Sequence, residues 1–367
     1  MTQKNGKRVF VGVSGGVDSA VSAYLLKKAG YDVVGVFIKT WQPDFIECTW
    51  REERRDAIRV CASLDIPFMT LDLEKEYRDE VAYYMIDEYK KGRTPNPDVM
   101  CNKKIKFGAF YDFAMSHGAD YIATGHYARV GFDEEGRYRL LRGIDGAKDQ
   151  SYFLWEITSE KLSHILFPIG EFPKSEVRKI AERAGLSNAE KKDSQGVCFL
   201  GEINMKDFLS HYIPRVEGNV LSSEGEVIGS HDGALSFTIG ERHGFTITKK
   251  GTDDEPLFVI AKDIKKNTIT VAPRNDSAQN KQTKNKHPEP VLIEIDGTNW
   301  ISTKFPSLGK IYNAQIRYHG EIHLCSLLSI KVETATLAFE VAPFGVSSGQ
   351  SIVLYDADVC VGGGVIE

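Results

Sequence analysis

Residues 9–19 read Val-Phe-Val-Gly-Val-Ser-Gly-Gly-Val-Asp-Ser, and this stretch decides the fold class. An apolar run ends at the glycines Gly15 and Gly16, and an apolar-periodic helical pattern begins directly behind them. A strand, a glycine turn and a helix N-terminus in this order form a concave row of backbone N–H groups that binds an anion. The stretch lacks both G-x-x-x-x-G-K-[ST] and G-x-G-x-x-G, so it predicts neither a kinase-type P-loop nor a dinucleotide turn. The plain alternative is a βα turn that is glycine-rich for packing alone.

Outward from this stretch, short β-branched runs alternate with longer helical patterns to about residue 200. Such alternation predicts an α/β domain with a parallel sheet that is covered on both faces. The expected strands are Arg8–Val13, Tyr31–Ile38, Pro67–Leu71 and Tyr121–Ala123, and the expected helices are Asp18–Ala29, Arg51–Leu64, Glu74–Lys91 and Lys174–Ala184.

The second half of the chain has a β pattern, with short strand-like runs that are separated by turns. This pattern predicts two small β-barrel-type domains, divided by the polar stretch 273–290. We therefore expect a catalytic domain over residues 1–205, a central β domain over 206–275 and a C-terminal β-barrel domain over 276–367. The expected strands are Asn219–Gly229, Leu235–Thr248, Leu257–Ala261, Thr268–Ala272, Val291–Ile295, Asn313–Tyr318, Lys331–Val341 and Gln350–Tyr355.

The composition is that of an ordinary globular protein, with 42% hydrophobic and 26% charged residues, which excludes disordered and collagen-like chains. The formal net charge is −5, so a nucleic-acid site would have to be a local basic patch. No apolar run reaches the roughly 18 residues of a membrane span, so no membrane partner is expected. Only seven residues precede the first strand-like run, so we expect no targeting segment and a cytoplasmic location.

Two cysteines lie in polar segments that look functional. Cys101 follows Asp98 by three residues in Pro-Asn-Pro-Asp-Val-Met-Cys-Asn-Lys-Lys-Ile-Lys-Phe, which we expect to form a stiff, non-helical loop. The lysines after Cys101 favour ionisation of its thiol, as a nucleophile requires, although isolated cysteines are more often small buried apolar residues. Cys198 lies in the second such segment, Asp-Ser-Gln-Gly-Val-Cys-Phe-Leu-Gly. Two such cysteines suggest sulfur chemistry, in which one carries a persulfide and the other resolves it through a transient disulfide.

The remaining cysteines give weaker signals. Cys61 lies on the apolar side of its helical pattern and Cys360 lies in a strand-like run, so both are expected in the core. The sequence does not decide the role of Cys48. His319, His323 and Cys325 lack the ligand spacing of a structural zinc site and are interpreted as strand residues. No protein-bound metal site is predicted.

The segment Ser-Gly-Gly-Val-Asp-Ser resembles the phosphate loop of the PP-loop ATP pyrophosphatases. With both cysteine segments, the chain resembles the tRNA-specific 2-thiouridylases nearly end to end. The resemblance implies a parallel-sheet PP-loop domain (adenine nucleotide alpha hydrolase-like) followed by two small β-barrel-type domains. The matching segments are SGGVDS at 14–19, PNPDVMCNKKIKFG at 95–108, ATGHYAR at 123–129, KDQSYFL at 148–154, DSQGVCFLG at 193–201 and SGQSIVLYDADVCVGGGVIE at 348–367.

This resemblance implies ATP-dependent formation of 2-thiouridine at the wobble position of tRNA, with Mg²⁺ and a sulfur-donor protein such as a cysteine desulfurase or a sulfur-relay protein. Cys198 would carry the persulfide, Cys101 would be its partner nucleophile and Asp98 a general acid or base. The nucleotide would lie against Gly12, Val13, Ser14, Gly15, Gly16, Val17, Asp18, Ser19, Ile38 and Gly125. The target base would lie against Asn96, Pro97 and Asp98 beside His126, and further tRNA contacts would come from Lys148, Asp149, Gln150, Arg317, Tyr318 and Gln350.

Two positions depart from the pattern of the family. Glu241 stands where glutamine is common, and a carboxylate there would repel RNA phosphate. Ser348 replaces a usual proline. Both departures concern the docking of tRNA rather than the chemistry.

Three other functional hypotheses stay open at this point. Another PP-loop enzyme, an amide-forming ligase or a tRNA lysidine synthase type, would not need Cys101 and Cys198. A nucleotide-gated RNA-binding protein would bind ATP without releasing pyrophosphate. Alternatively, Cys101, Cys198 and Asp98 could ligate an iron–sulfur cluster, although no full set of thiolate ligands is evident.

Overall fold

The structure, a computed structural model, describes residues 6–46, 49–192, 204–248, 255–274, 290–302 and 305–367. Within these ranges the first domain contains a parallel five-stranded sheet of order β3-β2-β1-β4-β7. All four strands expected there are confirmed. The strands in this half of the chain are β1 Arg8–Gly12, β2 Asp32–Lys39, β3 Phe68–Asp72, β4 Tyr121–Ala123, β5 Ala128–Phe132, β6 Tyr138–Arg142 and β7 Ile165–Leu166.

Helices cover both faces of this sheet and enclose two apolar clusters. The first, second and last of the expected helices are confirmed as α1 Val17–Lys28, α2 Trp50–Ser63 and α8 Lys174–Arg183. The third is helical throughout but contains a π-helical turn at Arg78–Ala82, between α3 Glu74–Tyr77 and α4 Tyr83–Lys90. None of the helices in the described ranges is long and apolar enough to cross a membrane.

The expectation of a non-helical loop around Cys101 was wrong. The chain is helical from Pro97, as α5 Pro97–Met100, a π-helical segment Cys101–Ala109 and α6 Phe110–Ser116. Pro97 occupies the first helical position, where its missing N–H is no loss, and the Asn96 carboxamide oxygen accepts from the Val99 N–H at 3.3 Å as an N-cap. The prolines therefore begin a helix here instead of preventing one.

The central domain is a five-stranded sheet of order β10-β9-β8-β12-β11 in the described residues. The single expected strand 219–229 is in fact two strands, because a turn closed by the Gly225 N–H and the Ser222 carbonyl oxygen (3.0 Å) interrupts it. The expected strand 235–248 was also too long, since Gly240 and Gly244 adopt positive φ. The strands are β8 Gly218–Leu221, β9 Val227–His231, β10 Phe245–Ile247, β11 Leu257–Asp263 and β12 Thr268–Pro273.

The C-terminal domain is a barrel in which six strands pair in the order β13-β16-β15-β14-β17-β18 and the pairing of β13 with β18 closes the ring. Closure removes the exposed sheet edges, which confirms the expected barrel. The expected strands did not include β15 or β18, although His323 and Cys325 were interpreted as strand residues and lie in β15. His319, which was interpreted in the same way, lies instead in the turn before β15. The strands are β13 Val291–Trp300, β14 Ile311–Gln315, β15 Ile322–Ile330, β16 Ala335–Phe339, β17 Ser351–Asp356 and β18 Val359–Ile366.

The hairpin β5–β6, also missed, leaves the first domain and joins the barrel sheet through β6 and β18. A buried ion pair within the first domain supports this connection. The Asp149 carboxylate accepts from the Arg142 guanidinium at 2.8 Å, the Gly143 N–H at 3.0 Å, and the Ser151 hydroxyl and N–H at 3.0 and 3.1 Å. The Arg142 guanidinium also stacks 3.5 Å from the ring centre of Tyr355 in β17. The first domain and the barrel are therefore one packed unit.

We expect Asp149→Ala to lower the free energy of unfolding by about 3 kcal/mol, because it leaves the Arg142 charge without its buried partner. Urea denaturation monitored by tryptophan fluorescence measures the change. Asp356→Ala is the matched control, since it removes an exposed ion pair with Lys310, which contributes little. Equal effects of the two substitutions would contradict the role given to Asp149.

Candidate active site

The candidate site lies where the strand order reverses, between β1 and β4. The carboxyl ends of these neighbouring parallel strands bring their following loops together, and such switch points are the usual ligand crevices of α/β sheets. The loop after β1 holds Gly15 and Gly16, and the loop after β4 holds Gly125. The segment that was singled out first in the sequence thus lies at a switch point, the kind of place where α/β sheets usually bind ligands.

Two glycines of this crevice cannot be replaced without moving backbone. Gly15 has φ +76°, and a Cβ there would lie 2.7 Å from the Glu53 carbonyl oxygen. A Cβ on Gly125 would lie 2.7 Å from the Ser19 nitrogen, at the first turn of α1. The loop after β4 therefore touches the N-terminus of α1, and only glycine permits the contact.

Hydroxyl groups hold the phosphate loop in shape. The Ser19 hydroxyl accepts from the Ser14 N–H at 3.2 Å and donates to the Gly16 carbonyl oxygen at 3.2 Å. The buried Asn188 carboxamide donates to the Gly15 carbonyl oxygen at 2.9 Å. These bonds order the loop before any ligand arrives, which reduces the entropic cost of binding.

Asp18, the acidic residue of the loop, is neutralised from outside the motif. Its carboxylate accepts from the Lys174 ammonium at 2.7 and 2.9 Å and from the Tyr127 hydroxyl at 2.9 Å. The ion pair keeps a net negative charge away from an anion site and places a cation beside it. Sequence reasoning missed Lys174 and Asn188, since each lies more than 150 residues from its partner in the loop.

The other residues expected to contact nucleotide differ in what they expose. Val13 and Val17 are buried core residues, so their side chains pack and only their backbone faces the crevice. Ile38 is buried at the carboxyl end of β2, and Gly12 is half-buried at the end of β1. Ser14 is exposed, as a residue at the open side of the loop should be.

Cys101 is fully buried, at the junction between α5 and the π-helical segment. It lies in the apolar cluster that also contains Val99 and Ile105. Two of the lysines that follow it form ion pairs, Lys103 with Glu156 at 2.9 Å and Lys104 with Glu80 at 2.8 Å. Cys101 is therefore closed off from solvent in this state. Cys198 lies outside the described residues.

His126 connects the helix of Cys101 with the nucleotide crevice. Its ring nitrogens lie 2.7 Å from the Thr124 hydroxyl and 3.4 Å from the Lys106 ammonium, and its ring contacts Phe107. Burial, together with the nearby Lys106 charge, lowers the pKa of His126 well below 6.5. The imidazole is therefore neutral at pH 7 and acts here through hydrogen bonds.

Asn96 lies near Tyr152 of the first domain, and Asp98 lies near Tyr318 of the barrel domain. Asn96 lies close enough to Tyr152 for its side chain to influence the pKa of that buried phenol. Burial, with the charges of Asp149 and Asp98, raises the pKa of Tyr318 to about 12. The expected base-contact segment and the expected tRNA contact Tyr318 are thus neighbours, although they are more than 200 residues apart in the sequence.

The remaining residues expected to contact tRNA are engaged within the protein. The buried Asp149 has the structural role described above, and the Gln150 carboxamide oxygen accepts from the Tyr127 N–H at 3.0 Å. The Arg317 guanidinium donates to the Gly345 carbonyl oxygen at 2.8 Å and to the Gln350 carboxamide at 3.3 Å. Lys148 is half-buried. In this state these side chains support the surface rather than project from it.

Glu241 does not present a free negative charge. Its carboxylate lies 2.8 Å from the Lys206 ammonium and accepts from the Thr238 N–H at 3.0 Å. The repulsion of RNA phosphate expected from the sequence is therefore weakened by an ion pair. The carboxylate instead closes the turn over residues 238–241.

The expected core positions of Cys61 and Cys360 are confirmed, and Cys325 is buried as well. Burial raises the pKa of Cys61 to about 11 and that of Cys325 to about 12, so these thiols are not nucleophiles. Cys48 lies outside the described residues. Among the residues that are described, no three His, Cys, Asp or Glu side chains are grouped to hold a metal ion.

We expect Gly125→Ala to weaken ATP binding about tenfold or more. Its new Cβ would press on the backbone at Ser19; overpacking costs about 1–3 kcal/mol, and about 1.4 kcal/mol is a factor of ten. Isothermal titration calorimetry measures the affinity. Gly146→Ala, where a Cβ meets nothing within 4 Å, is the matched control and should bind as the wild type does.

Stability should fall as the pH drops below about 6.5, because unfolding frees His126 to take up a proton that its buried state rejects. The contribution is fully present above the unfolded pKa and is lost at a rate approaching about 1.4 kcal/mol per pH unit below it. Urea denaturation between pH 7.5 and 5.5 should show a smaller slope for His126→Gln than for the wild type. Identical slopes would show that His126 titrates normally.

Family models match the chain in three consecutive parts. Residues 7–202 match a model described as tRNA methyl transferase HUP domain, residues 206–273 one described as tRNA methyl transferase PRC-barrel domain, and residues 292–366 one described as Aminomethyltransferase beta-barrel domain. The three descriptions agree with the parallel-sheet domain, the central sheet and the closed barrel of the structure. The first model alone covers more than half of the chain.

Similar solved structures include the U34-tRNA thiolase NcsA from Methanococcus maripaludis with its 4Fe-4S cluster (19% identity, TM-score 0.36, 57% of this chain and 65% of that chain). A 4-thiouridine synthetase–RNA complex with bound ATP is 21% identical, with a TM-score of 0.35, over 57% of this chain and 50% of that chain.

Full-length relatives are much closer. The protein from Lysinibacillus sphaericus named tRNA-specific 2-thiouridylase MnmA is 46% identical over 98% of this chain and 94% of its own length. The protein of the same name from Thiobacillus denitrificans is 46% identical over 98% of this chain and 99% of its own length. With identity at this level along the whole chain, and with the glycine crevice and the helix of Cys101 in place, the chain belongs to the tRNA-specific 2-thiouridylase family.

Proposed function

We propose that this protein is an ATP-dependent tRNA uridine 2-sulfurtransferase that converts the wobble uridine of Lys-, Glu- and Gln-type tRNAs to 2-thiouridine. The observation that carries the proposal is the meeting of two elements. A phosphate-binding crevice stands at the switch point of the sheet, and the helix of Asp98 and Cys101 reaches it through the Lys106–His126 contact. In this proposal the site for ATP and the site for sulfur chemistry are therefore adjacent.

The first step is activation of the base. The C2 carbonyl of uracil is a poor electrophile, so its oxygen attacks the α-phosphorus of ATP, pyrophosphate leaves, and an adenylated base results. The N-terminus of α1 and the preorganised loop from Ser14 to Ser19 offer N–H groups to the phosphates. Lys174 adds a positive charge beside the loop through its pair with Asp18.

The second step is transfer of sulfur. In this proposal the terminal sulfur of a Cys198 persulfide attacks C2 and AMP departs, which leaves the base joined to Cys198 through two sulfur atoms. The Cys101 thiolate then attacks the Cys198 sulfur, releases 2-thiouridine and forms a disulfide, which an external dithiol must reduce. Asp98, three residues before Cys101 on the same helical turn, is suited to moving a proton at the base or the thiol.

Mg²⁺ and a sulfur-donor protein complete the requirements. Mg²⁺ would screen the polyphosphate charge, and it would enter on the phosphates of ATP, because the described residues group no carboxylates for it and Asp18 is engaged by Lys174. The persulfide sulfur must come from a donor such as a cysteine desulfurase or a relay protein. In this proposal the protein and its sulfur donor work together in the cytoplasm, where the tRNA is modified.

The target uridine must leave the anticodon stack to reach this site. Asn96, Pro97 and Asp98 would hold the flipped base, with His126 beside it. Lys148, Asp149, Gln150, Arg317, Tyr318 and Gln350 would shape the surface that receives the tRNA. Since most of these side chains are bonded within the protein, we propose that they contribute by holding the loops that meet RNA, which fits a chain with a net charge of −5.

The test measures both products of the reaction. Unmodified glutamate-type tRNA is incubated with the protein, ATP, Mg²⁺ and a cysteine desulfurase with cysteine, then pyrophosphate and nucleosides are quantified by enzymatic assay and mass spectrometry. We expect ATP-dependent 2-thiouridine from the wild type. Cys198→Ala and Cys101→Ala should lose thiolation by at least a factor of about 100, because each removes a group that the covalent sequence requires.

The control is Cys61→Ala, which removes a buried thiol outside the site and should leave thiolation intact. Pyrophosphate release without 2-thiouridine in the wild type would favour another PP-loop ligase, and ATP binding without pyrophosphate would favour a nucleotide-gated RNA-binding protein. The presence of iron and labile sulfide in anaerobically purified protein would favour the cluster mechanism over the persulfide mechanism.

A further inference from the structure

Thr94 lies where the three domains of the protein meet. It is almost fully buried, and it immediately precedes the segment that leads into the helix of Asp98 and Cys101. Its hydroxyl lies 3.2 Å from the Thr238 hydroxyl of the central domain and accepts from the Ser347 hydroxyl of the barrel domain at 3.4 Å. One hydroxyl group of the first domain thus contacts both β domains.

The backbone at this point is fixed as well. The Thr94 N–H donates to the Ser348 carbonyl oxygen at 2.7 Å. Gly349 packs so closely that a Cβ there would lie 2.8 Å from the Thr94 nitrogen, and its φ of +91° excludes most other residues. The barrel loop 347–349 therefore clamps the start of the segment 94–101.

Arg317 binds the two β domains to each other beside this clamp. Its guanidinium donates to the carbonyl oxygens of Ile239 in the central domain and Gly345 in the barrel domain. Ile239 directly follows Thr238, and Gly345 lies two residues before Ser347. A displacement of either β domain would therefore pass to Thr94 through short, bonded segments.

The segment beyond Thr94 is short and stiff. Two prolines flank Asn96, and helix α5 begins at Pro97. Only six residues separate Thr94 from Cys101, and a helix moves as a unit, so a shift at Thr94 is transmitted to the buried thiol. Cys101 must become accessible in order to react.

We propose that Thr94 is a positioning residue that couples the docking of tRNA on the two β domains to the placement of Asp98 and Cys101. This proposal rests on the proposed function. The Thr94 hydroxyl touches no substrate, and it acts by relaying the position of the β domains to the reactive helix. Docked RNA shifts the clamp, and the helix then presents Cys101.

The kinetic test replaces the hydroxyl by a methyl group of the same shape. Thr94→Val should lower kcat for thiolation by about ten- to a hundredfold, as a misplaced reacting group does, with KM for ATP unchanged. Thr94→Ser keeps the hydroxyl and should restore most of the rate. The matched control is Thr336→Val, which removes a similar hydroxyl contact, with Ser329 at 3.0 Å, between two barrel strands away from the clamp.

A second measurement distinguishes coupling from general damage. Alkylation of Cys101 by iodoacetamide, followed by peptide mass spectrometry, should accelerate when tRNA is added to the wild type and should not respond to tRNA in Thr94→Val. The affinity of this variant for tRNA should match that of the wild type, and its melting temperature should fall only by the few degrees that the loss of two hydrogen bonds causes. Cys61, which is equally buried, should show no tRNA response in either protein.

The outcomes separate the two proposals. A wild type that makes no 2-thiouridine refutes the proposed function. A wild type that makes it, together with a Thr94→Val variant of equal kcat or with a retained tRNA response at Cys101, refutes the role of Thr94 alone. Equal losses in Thr94→Val and Thr94→Ser would also refute it, because the hydroxyl would then not be the operative group.

Discussion

The parallel pairing of β1 with β4 is the constraint on which the rest of the molecule depends. It places the loop after β1 beside the loop after β4, and the absence of a side chain at Gly125 lets that loop touch the first turn of α1. The same loop continues into His126, whose ring reaches Lys106 on the helix of Cys101. One strand pairing therefore brings the glycine crevice next to the helix of Cys101.

Three buried or half-buried carboxylates of this protein are held in ion pairs. Asp18 is held by Lys174, Asp149 by Arg142 and Glu241 by Lys206. For Asp18 and Glu241 the partner comes from a distant segment, so the ion pair both neutralises a charge and fixes two segments relative to each other. Pairing thus compensates the negative charge of Asp18 beside the glycine crevice and that of Glu241 in the central domain.

The sequence-based expectations were most accurate where several local signals agreed with one another. The strand, loop and helix at residues 8–28 were predicted because an apolar run, two glycines and a periodic helix are local signals. The segment around Cys101 was predicted as a loop because two prolines suggested a break, whereas Asn96 and Pro97 in fact form the start of a helix. The hairpin 128–142 was missed although its own pairing is local, whereas its attachment to β18, more than 200 residues further along the chain, depends on the tertiary structure.

The sequence by itself determined the fold class, the phosphate loop and the two cysteine segments. Each of these features depends on the backbone preferences and side-chain chemistry of residues that are neighbours in the chain. Only the tertiary structure decided that Lys174 neutralises Asp18, that Cys101 is buried, and that Thr94 joins three domains. These facts depend on contacts between residues far apart in the chain. Such contacts form when whole domains pack together, and no local pattern of residues encodes that packing.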